Sequence, residues 1–246
     1  MSFLHKLGIG TGTSREVSRA IPQPGRTRSA ANVPAVGSPR APEAPSSSRI
    51  SNGLKELLWN LDGLGRGTLL DLGPAWQTTL SFFIERGFRV SSEDILREWK
   101  DFLSEEELRL SGASAVPETL DMTPTGRATR FLESNLQYPR ASFDAVLIWD
   151  LIDYLEPALA KQTIANLTEL LRPGGVVFAL FHSKKPDAFQ RYRIADSNSL
   201  QIISASVLCP AQKVYQNREI QDLFSRFRTM KSFVSRDQLR ETLFIK

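Results

Sequence analysis

The chain has 246 residues, of which 41% are hydrophobic, and a formal net charge of +4. This composition is that of a globular protein with one large domain or two small ones. We expect no membrane span, because no run of about 18 apolar residues is present, and no secretion signal, because the apolar stretch at the start is too short. A single cysteine, Cys209, excludes an internal disulfide and indicates a cytoplasmic location.

Residues 1–50 are predicted to form a disordered leader rich in Pro, Ser and Arg. Six prolines between positions 22 and 45 interrupt any helix, and little apolar surface is available to offset the entropy of ordering. The leader carries seven basic and two acidic side chains, a net charge of +5, so residues 51–246 together carry −1. Because the basic residues form no dense block, a solvated tail is favoured over a nucleic-acid contact.

Residues 51–246 are predicted to form one α/β domain, because apolar runs alternate with helical patterns. A first helix over 54–61 has Ser51 or Asn52 as its cap. The later helices are expected near 78–86, 95–103, 164–171 and 217–227. Strands are predicted at 68–72, 88–93, 130–133, 145–149, 176–181, 230–234 and 242–245. The segment 111–129 is predicted as a loop, and 191–207 as an inserted hairpin. Right-handed crossovers between these strands imply a mostly parallel sheet.

The stretch LLDLGPAWQTTLSFFIERGFRVSSEDI carries the clearest functional signal. Its first strand ends at Asp71 and is followed by a turn at Gly73, where a helix begins that offers unpaired N–H groups. Asp94 follows Asp71 by 23 positions, at the end of the next strand. This geometry places a carboxylate where the ribose hydroxyls of a bound nucleoside would lie.

These residues resemble the first motif of the class I S-adenosylmethionine-dependent methyltransferases, a strand ending D/E-x-G-x-G-x-G. The blocks FDAVLIWDLIDYL and LRPGGVVFALF resemble later parts of the same fold, and all three occur in the family's order. The resemblance implies a Rossmann-like fold with a mostly parallel seven-stranded sheet and an antiparallel C-terminal strand. Ala75 and Gln77 stand where the family usually has glycine, and Gln77 and Trp76 add bulk where the methionine part of the cofactor approaches.

The resemblance also implies S-adenosylmethionine as cofactor and a set of contacts to it. The implied cofactor-binding residues are Asp71, Gly73, Ala75, Asp94, Glu133 and Trp149. For Asp94 the alternative is a helix cap, because a helical pattern begins at Ile95. For Glu133 a plain loop position is the alternative, and for Trp149 it is packing in the core.

Asp150 and His182 are the candidate catalytic residues, because both follow strands on the expected ligand side. Asp150 is a candidate to receive a proton from the incoming nucleophile, and His182 to act as a general base. A turn cap is the alternative for Asp150, and a structural or exposed side chain is the alternative for His182. Methyl transfer needs little beyond placement, so the lack of a catalytic dyad does not exclude it. No metal-ligand spacing is present.

Three functions therefore follow from the sequence. The first is methyl transfer to a small-molecule acceptor. The second is a scaffold or partner-binding module that has lost the cofactor, indicated by Trp76 and Gln77. The third, a nicotinamide-dependent oxidoreductase, lacks the G-x-G-x-x-G motif. Nothing in the sequence identifies the acceptor.

Overall fold

The computed structural model describes residues 46–112, 121–235 and 237–246. The predicted leader, apart from its last five residues, lies outside the described residues. The strands are β1 (Ser46–Ile50), β2 (Gly67–Asp71), β3 (Phe88–Ser92), β4 (Phe143–Trp149), β5 (Leu171–His182), β6 (Gln190–Asp196), β7 (Ser199–Ser204), β8 (Thr229–Val234) and β9 (Leu239–Ile245). The helices are α1 (Asn52–Leu61), α2 (Gln77–Ile84), α3 (Ile95–Gly112), α4 (Pro124–Asn135), α5 (Leu151–Tyr154), α6 (Pro157–Leu170) and α7 (Asn217–Leu223). None of these helices is both long enough and apolar enough to cross a bilayer.

The central sheet has the strand order β3-β2-β4-β5-β9-β8. Strands β2 to β5 are parallel, and β9 runs antiparallel to both of its neighbours. The predicted mostly parallel sheet with an antiparallel C-terminal strand is therefore confirmed. Within the described residues this sheet has six strands rather than the seven predicted.

The predicted third strand at 130–133 is wrong, because these residues lie in α4. Thr123 caps this helix by accepting a hydrogen bond from the Gly126 N–H, and Pro124 occupies its first position, where a missing N–H has no consequence. Ala128, Phe131 and Leu132 are buried at helical spacing. The predicted loop 111–129 is thus helical from Pro124 onward, its first two residues end α3, and 113–120 lie outside the described residues.

A second, antiparallel sheet has the order β1-β7-β6. Its β6–β7 hairpin confirms the hairpin predicted at 191–207. Strand β1 consists of residues that the sequence assigned to the leader, and it pairs with β7 over its whole length. Its serine-rich sequence gave no strand signal, because most of its side chains are exposed.

The first helix is fixed by a buried carboxylate from the far end of the chain. Glu241 on β9 accepts hydrogen bonds from the Gly53 N–H at 2.5 Å and from Ser51 Oγ at 2.9 Å, and it pairs with Arg49 at 2.6 Å. Ser51 rather than Asn52 is the cap, since Ser51 Oγ accepts the Leu54 N–H. A carboxylate at a helix N-terminus also interacts favourably with the helix dipole.

Two apolar layers cover the central sheet, because alternate residues of a strand face opposite sides. Leu70, Val146 and Val177 belong to the layer that includes residues of α3, α4 and α6. Leu69 and Ala145 belong to the layer shared with α1 and the β6–β7 hairpin. Burial of the parallel strands on both faces explains their continuous apolar sequences.

Candidate functional site

The carboxyl ends of β2, β3, β4 and β5 form one edge of the central sheet, which we call the strand-end edge. Asp71, Trp149 and His182 are the last residues of β2, β4 and β5, and Asp94 follows the end of β3. Ligands of open α/β sheets bind at such an edge. The structure therefore brings together most of the residues that the sequence singled out.

Asp71 is buried beneath the turn at Gly73. Its Oδ1 accepts the indole Nε1–H of Trp149 at 2.6 Å and the Gly73 N–H at 3.1 Å. Burial raises the pKa of Asp71 to about 7, although the two hydrogen bonds oppose that change. The carboxylate thus ties β4 to the turn after β2.

The side chain of Trp149 fills the space below Gly73. A Cβ placed on Gly73 would lie 2.8 Å from both Cδ1 and Nε1 of the indole, which leaves no room for a larger residue. The indole is stacked on Tyr192, with the rings 11° from parallel, and it meets Phe178 edge-on. Trp149 has a φ of 54°, a left-handed backbone that non-glycine residues seldom adopt.

The cavity between the Gly73 turn, Trp149, Asp150, Arg191 and Tyr192 measures only about 10 Å³. A single water molecule needs about that much room. Sites for drug-sized ligands usually measure about 300 Å³ or more. The side chains of the chain itself therefore occupy this part of the strand-end edge.

Asp94 is engaged by a cation from the β6–β7 hairpin. Arg191 Nη2 lies 3.0 Å from Oδ1 and 3.1 Å from Oδ2 of Asp94. Asp94 also accepts a long hydrogen bond of 3.4 Å from the Arg97 N–H in the first turn of α3. The carboxylate that the sequence assigned either to a ribose or to a helix cap thus has an arginine as its main partner.

Similarity to known proteins is confined to solved structures. No protein-family model matches the sequence, and no curated protein matches it. The 1,6-didemethyltoxoflavin-N1-methyltransferase of Burkholderia thailandensis, crystallised with 1,6-didemethyltoxoflavin and S-adenosylhomocysteine, is 15% identical, with 79% of this chain and 78% of that chain covered and a TM-score of 0.39. An S-adenosylmethionine-dependent methyltransferase of Mesorhizobium loti is 14% identical, with 78% and 96% covered and a TM-score of 0.42.

The chain itself has a Rossmann-like α/β fold, and its likeness to these S-adenosylmethionine-dependent methyltransferases is a weak structural similarity. A comparable likeness exists to an enzyme of this kind from Aquifex aeolicus, which is 13% identical with a TM-score of 0.39 and a coverage of 78% of this chain and 88% of that chain. At these identities, and with TM-scores below 0.5, the likeness supports no conclusion about what this chain does. The function of this chain has to be argued from its own residues.

As they stand, these residues do not fit S-adenosylmethionine, the cofactor that the sequence resemblance implies. Trp149 fills the space under the glycine turn, Tyr192 covers the indole, and Arg191 binds the carboxylate expected to hold the ribose. The bulk that the sequence attributed to Gln77 and Trp76 comes from elsewhere. Gln77 is exposed and bonds Ser81, while Trp76 is half-buried 5.5 Å below the guanidinium of Arg193.

Two further predicted cofactor contacts lie apart from this cluster. Ala75 is exposed in the turn before α2. Glu133 is exposed on α4, so the strand end on which its assignment rested does not exist.

The sequence analysis did not identify Arg191 and Tyr192 as site residues. The alternation along β6 indicates only that these neighbours face opposite sides of the hairpin and does not identify their partners.

A second polar cluster joins α5 to the end of β5. Asp153 Oδ2 accepts the backbone N–H of His182 at 2.7 Å and lies 3.1 Å from His182 Nδ1. His182 Nε2 lies 3.8 Å from Asp150 Oδ2. The predicted catalytic residues Asp150 and His182 are thus neighbours, and Asp153 holds the histidine.

Burial is the largest single influence on the pKa of each group in this cluster. It raises the pKa of Asp150 to about 7, against the charge of His182, and it raises the pKa of Asp153. Burial alone lowers the pKa of His182, but the hydrogen bond to Asp153 and the charges of both acids outweigh it, and the net direction is upward. In the described part of the chain, no three His, Cys, Asp or Glu residues are grouped as a metal site.

Proposed function

We propose that this chain is a non-catalytic binding module built on the methyltransferase fold, in which the side chains of the chain replace the cofactor. The observation that carries this proposal is the position of Trp149. Trp149 is 4% exposed, its indole packs under Gly73, and the indole N–H donates to Asp71. A side chain with these contacts is part of the core rather than a gate.

The free energy needed to displace the Trp149 indole from the space below Gly73, which we call the slot, supports this proposal. Removing a buried tryptophan side chain from a core costs about 3–5 kcal/mol, because the space it leaves is not refilled. A cofactor that displaced Trp149 would lose a similar amount of binding energy. A loss of about 4 kcal/mol weakens a micromolar dissociation constant to the millimolar range. Breaking the ion pair between Arg191 and Asp94 would weaken it further.

The second candidate is S-adenosylmethionine-dependent methyl transfer to a small-molecule acceptor. The observation that favours it is the placement of Asp71, Gly73 and Asp94, which stand in the order and spacing of the cofactor motif at the strand-end edge. This function requires Trp149 and Arg191 to leave their partners. The two candidates therefore differ in a measurable property, the affinity for the cofactor.

Calorimetry and thermal shift with S-adenosylmethionine, S-adenosylhomocysteine and NAD separate the candidates. A ligand at 100 times its dissociation constant stabilises the native state by about 2.7 kcal/mol, which a melting curve detects readily. We expect no shift for the full chain at ligand concentrations up to about 1 mM. Stabilisation by S-adenosylhomocysteine in the micromolar range would refute the proposal and select methyl transfer, and stabilisation by NAD alone would select the oxidoreductase.

Substitutions in the β6–β7 hairpin test whether the Arg191–Asp94 ion pair or the Trp149 indole excludes the cofactor. Arg191→Ala frees Asp94, whereas Arg193→Ala on the same strand removes a guanidinium that bonds Gln201 instead. Because Trp149 still fills the slot, we expect neither variant to bind S-adenosylhomocysteine more tightly than about 1 mM. Micromolar binding by Arg191→Ala alone would show that the ion pair, and not the indole, closes the site.

A further inference from the structure

An open groove lies between the C-terminal ends of α1 and α2, beside the start of β3 and thus at the opposite end of the parallel strands from the strand-end edge. Its volume is about 430 Å³, and its apolar walls include Leu58, Trp59, Leu64 and Phe88. We call it the Trp59 groove. Trp59 is 69% exposed and Leu64 is 40% exposed. An exposed tryptophan beside an apolar groove is characteristic of a surface that another protein covers.

The indole of Trp59 is held in place although it is exposed. The ammonium of Lys231 on β8 lies 5.6 Å from the centre of the indole ring and forms an ion pair with Glu56, one turn earlier on α1, at 2.5 Å. A cation over a tryptophan ring is attracted by its negative face. The indole is therefore a partly preorganised anchor, which loses little conformational entropy when a partner covers it.

The rim of the groove carries one charge of each sign, Asp62 and Arg86. Within the described part of the chain, neither of them has an oppositely charged group within 4.0 Å. Arg86 is oriented by its neighbour Phe82, since its guanidinium lies 3.5 Å above the ring and donates to the Phe82 carbonyl at 2.7 Å. Asp62 accepts the Gly63 N–H at 3.1 Å, which fixes its carboxylate at the end of α1.

We propose that the Trp59 groove is the interface of a homodimer with two-fold symmetry. In such a contact the same patch meets itself, so a residue that contacts a second residue of the partner is in turn contacted by the partner's copy of that pair. A favourable contact therefore requires opposite charges at the two positions. Asp62 and Arg86 meet that requirement, because a two-fold axis between them pairs each Arg86 with Asp62 of the second copy. The two indoles then enter the apolar grooves from opposite sides. This proposal goes beyond the proposed function and does not depend on the state of the cofactor slot.

The first test is the mass of the full chain in solution. Sedimentation velocity between about 1 and 100 µM should show a concentration-dependent dimer. Trp59→Ala should raise the dissociation constant at least tenfold, as expected for a central tryptophan anchor. Leu108→Ala is the matched control, because Leu108 is 72% exposed on α3, which packs on the opposite face of the sheet. A monomer at 100 µM, or a dimer equally strong in Trp59→Ala, overturns the proposal.

The second test exchanges the charges on the rim. Arg86→Glu and Asp62→Arg each place like charges across the two-fold axis, so each variant should dimerise less than the natural chain. The variant with both exchanges restores opposite charges and should regain most of the affinity. Circular dichroism of all three variants checks that they are folded. If both single variants are weakened and the double variant is no stronger than they are, the two-fold pairing is wrong.

Discussion

The indole Nε1 of Trp149 donates a 2.6 Å hydrogen bond to the buried carboxylate of Asp71. These two residues end neighbouring parallel strands, at the edge where open α/β sheets ordinarily bind their ligands. The bond fixes the indole below Gly73, where a ligand would otherwise approach the backbone. A side chain of the protein therefore completes the core at this edge.

Substitution of Trp149 measures how much of the core depends on this side chain. Trp149→Ala should lower the free energy of unfolding by about 3–5 kcal/mol, because it leaves a cavity and removes the donor to Asp71. Trp149→Phe keeps most of the volume but leaves Asp71 with one donor fewer, and it should cost about 1–3 kcal/mol. Urea denaturation gives both values.

Leu108→Ala is the control for Trp149, since a substitution at this exposed position should change the stability by no more than about 0.5 kcal/mol. A loss below about 1 kcal/mol in Trp149→Ala would contradict the role of the indole in the core. Such a small loss would also mean that a cofactor could displace the indole at little cost in free energy.

The parallel strands were predictable because local sequence determines them. Continuous apolar runs such as 145–149, closed by turn residues, are typical of strands buried on both faces. The start of α4 was also readable in principle, since Thr123 and Pro124 are a favoured cap and first residue. The prediction missed it because the residues around Gly126 were interpreted as a loop, which left 130–133 as a short strand.

The closure of the site could not be predicted from the sequence. Arg191 and Tyr192 lie more than 40 positions after Trp149, and their contacts depend on how the β6–β7 hairpin is placed over the strand-end edge. A local pattern contains no information about such contacts. For the same reason the sequence left Trp149 open between a cofactor contact and a core residue, and only its packing against Phe178 and Tyr192 decides for the core.

The stability of the protein should depend on pH through Asp71. Its pKa is raised from 3.8 to about 7 in the native state, so between these values the native state holds a proton that the unfolded chain has lost. Stability is therefore greatest below about pH 4 for this group and falls as the pH rises towards 7. The effect is of the order of 4 kcal/mol, since each pH decade contributes about 1.36 kcal/mol.

Asp71→Asn removes this titration and keeps an oxygen for the Trp149 indole. Urea denaturation at several pH values should show a shallower loss of stability between pH 4 and pH 7 in the variant. The slope should not vanish, because Asp150, with a pKa of about 7, contributes in the same direction. Asp222→Asn, at an exposed position, is the control. Equal slopes in the natural chain and Asp71→Asn would show that Asp71 ionises freely in the native state.

His182 should stabilise the native state through Asp153 and Asp150. His182→Ala removes the partner that shares a hydrogen bond with the buried Asp153, at a cost of about 3 kcal/mol. Because the pKa of His182 is raised, its contribution is complete below about pH 6.5 and is lost as the pH rises through the native value. The cost of the substitution should therefore be larger at pH 6 than at pH 9.

A double-mutant cycle isolates the pair formed by His182 and Asp153. The variants His182→Ala, Asp153→Asn and their combination should show a coupling of about 1–3 kcal/mol at pH 6, as expected for groups that share a hydrogen bond. The free energies come from chemical denaturation under identical conditions. Additive costs, within about 0.5 kcal/mol, would mean that the two residues stabilise the protein independently.

Gly53 should be intolerant of even the smallest side chain, although alanine favours a helix. A Cβ at this position would lie 2.7 Å from Cε2 of Phe178 and 2.8 Å from Oε2 of Glu241, both of them buried. Crowding of this kind costs about 1–3 kcal/mol and exceeds the gain of about 1 kcal/mol in helix propensity. Gly53→Ala should therefore lower the melting temperature by several degrees.

At Gly65 the same substitution meets open space and should be neutral or slightly stabilising. Equal melting temperatures for the two variants would show that α1 is free to move away from β5 and β9.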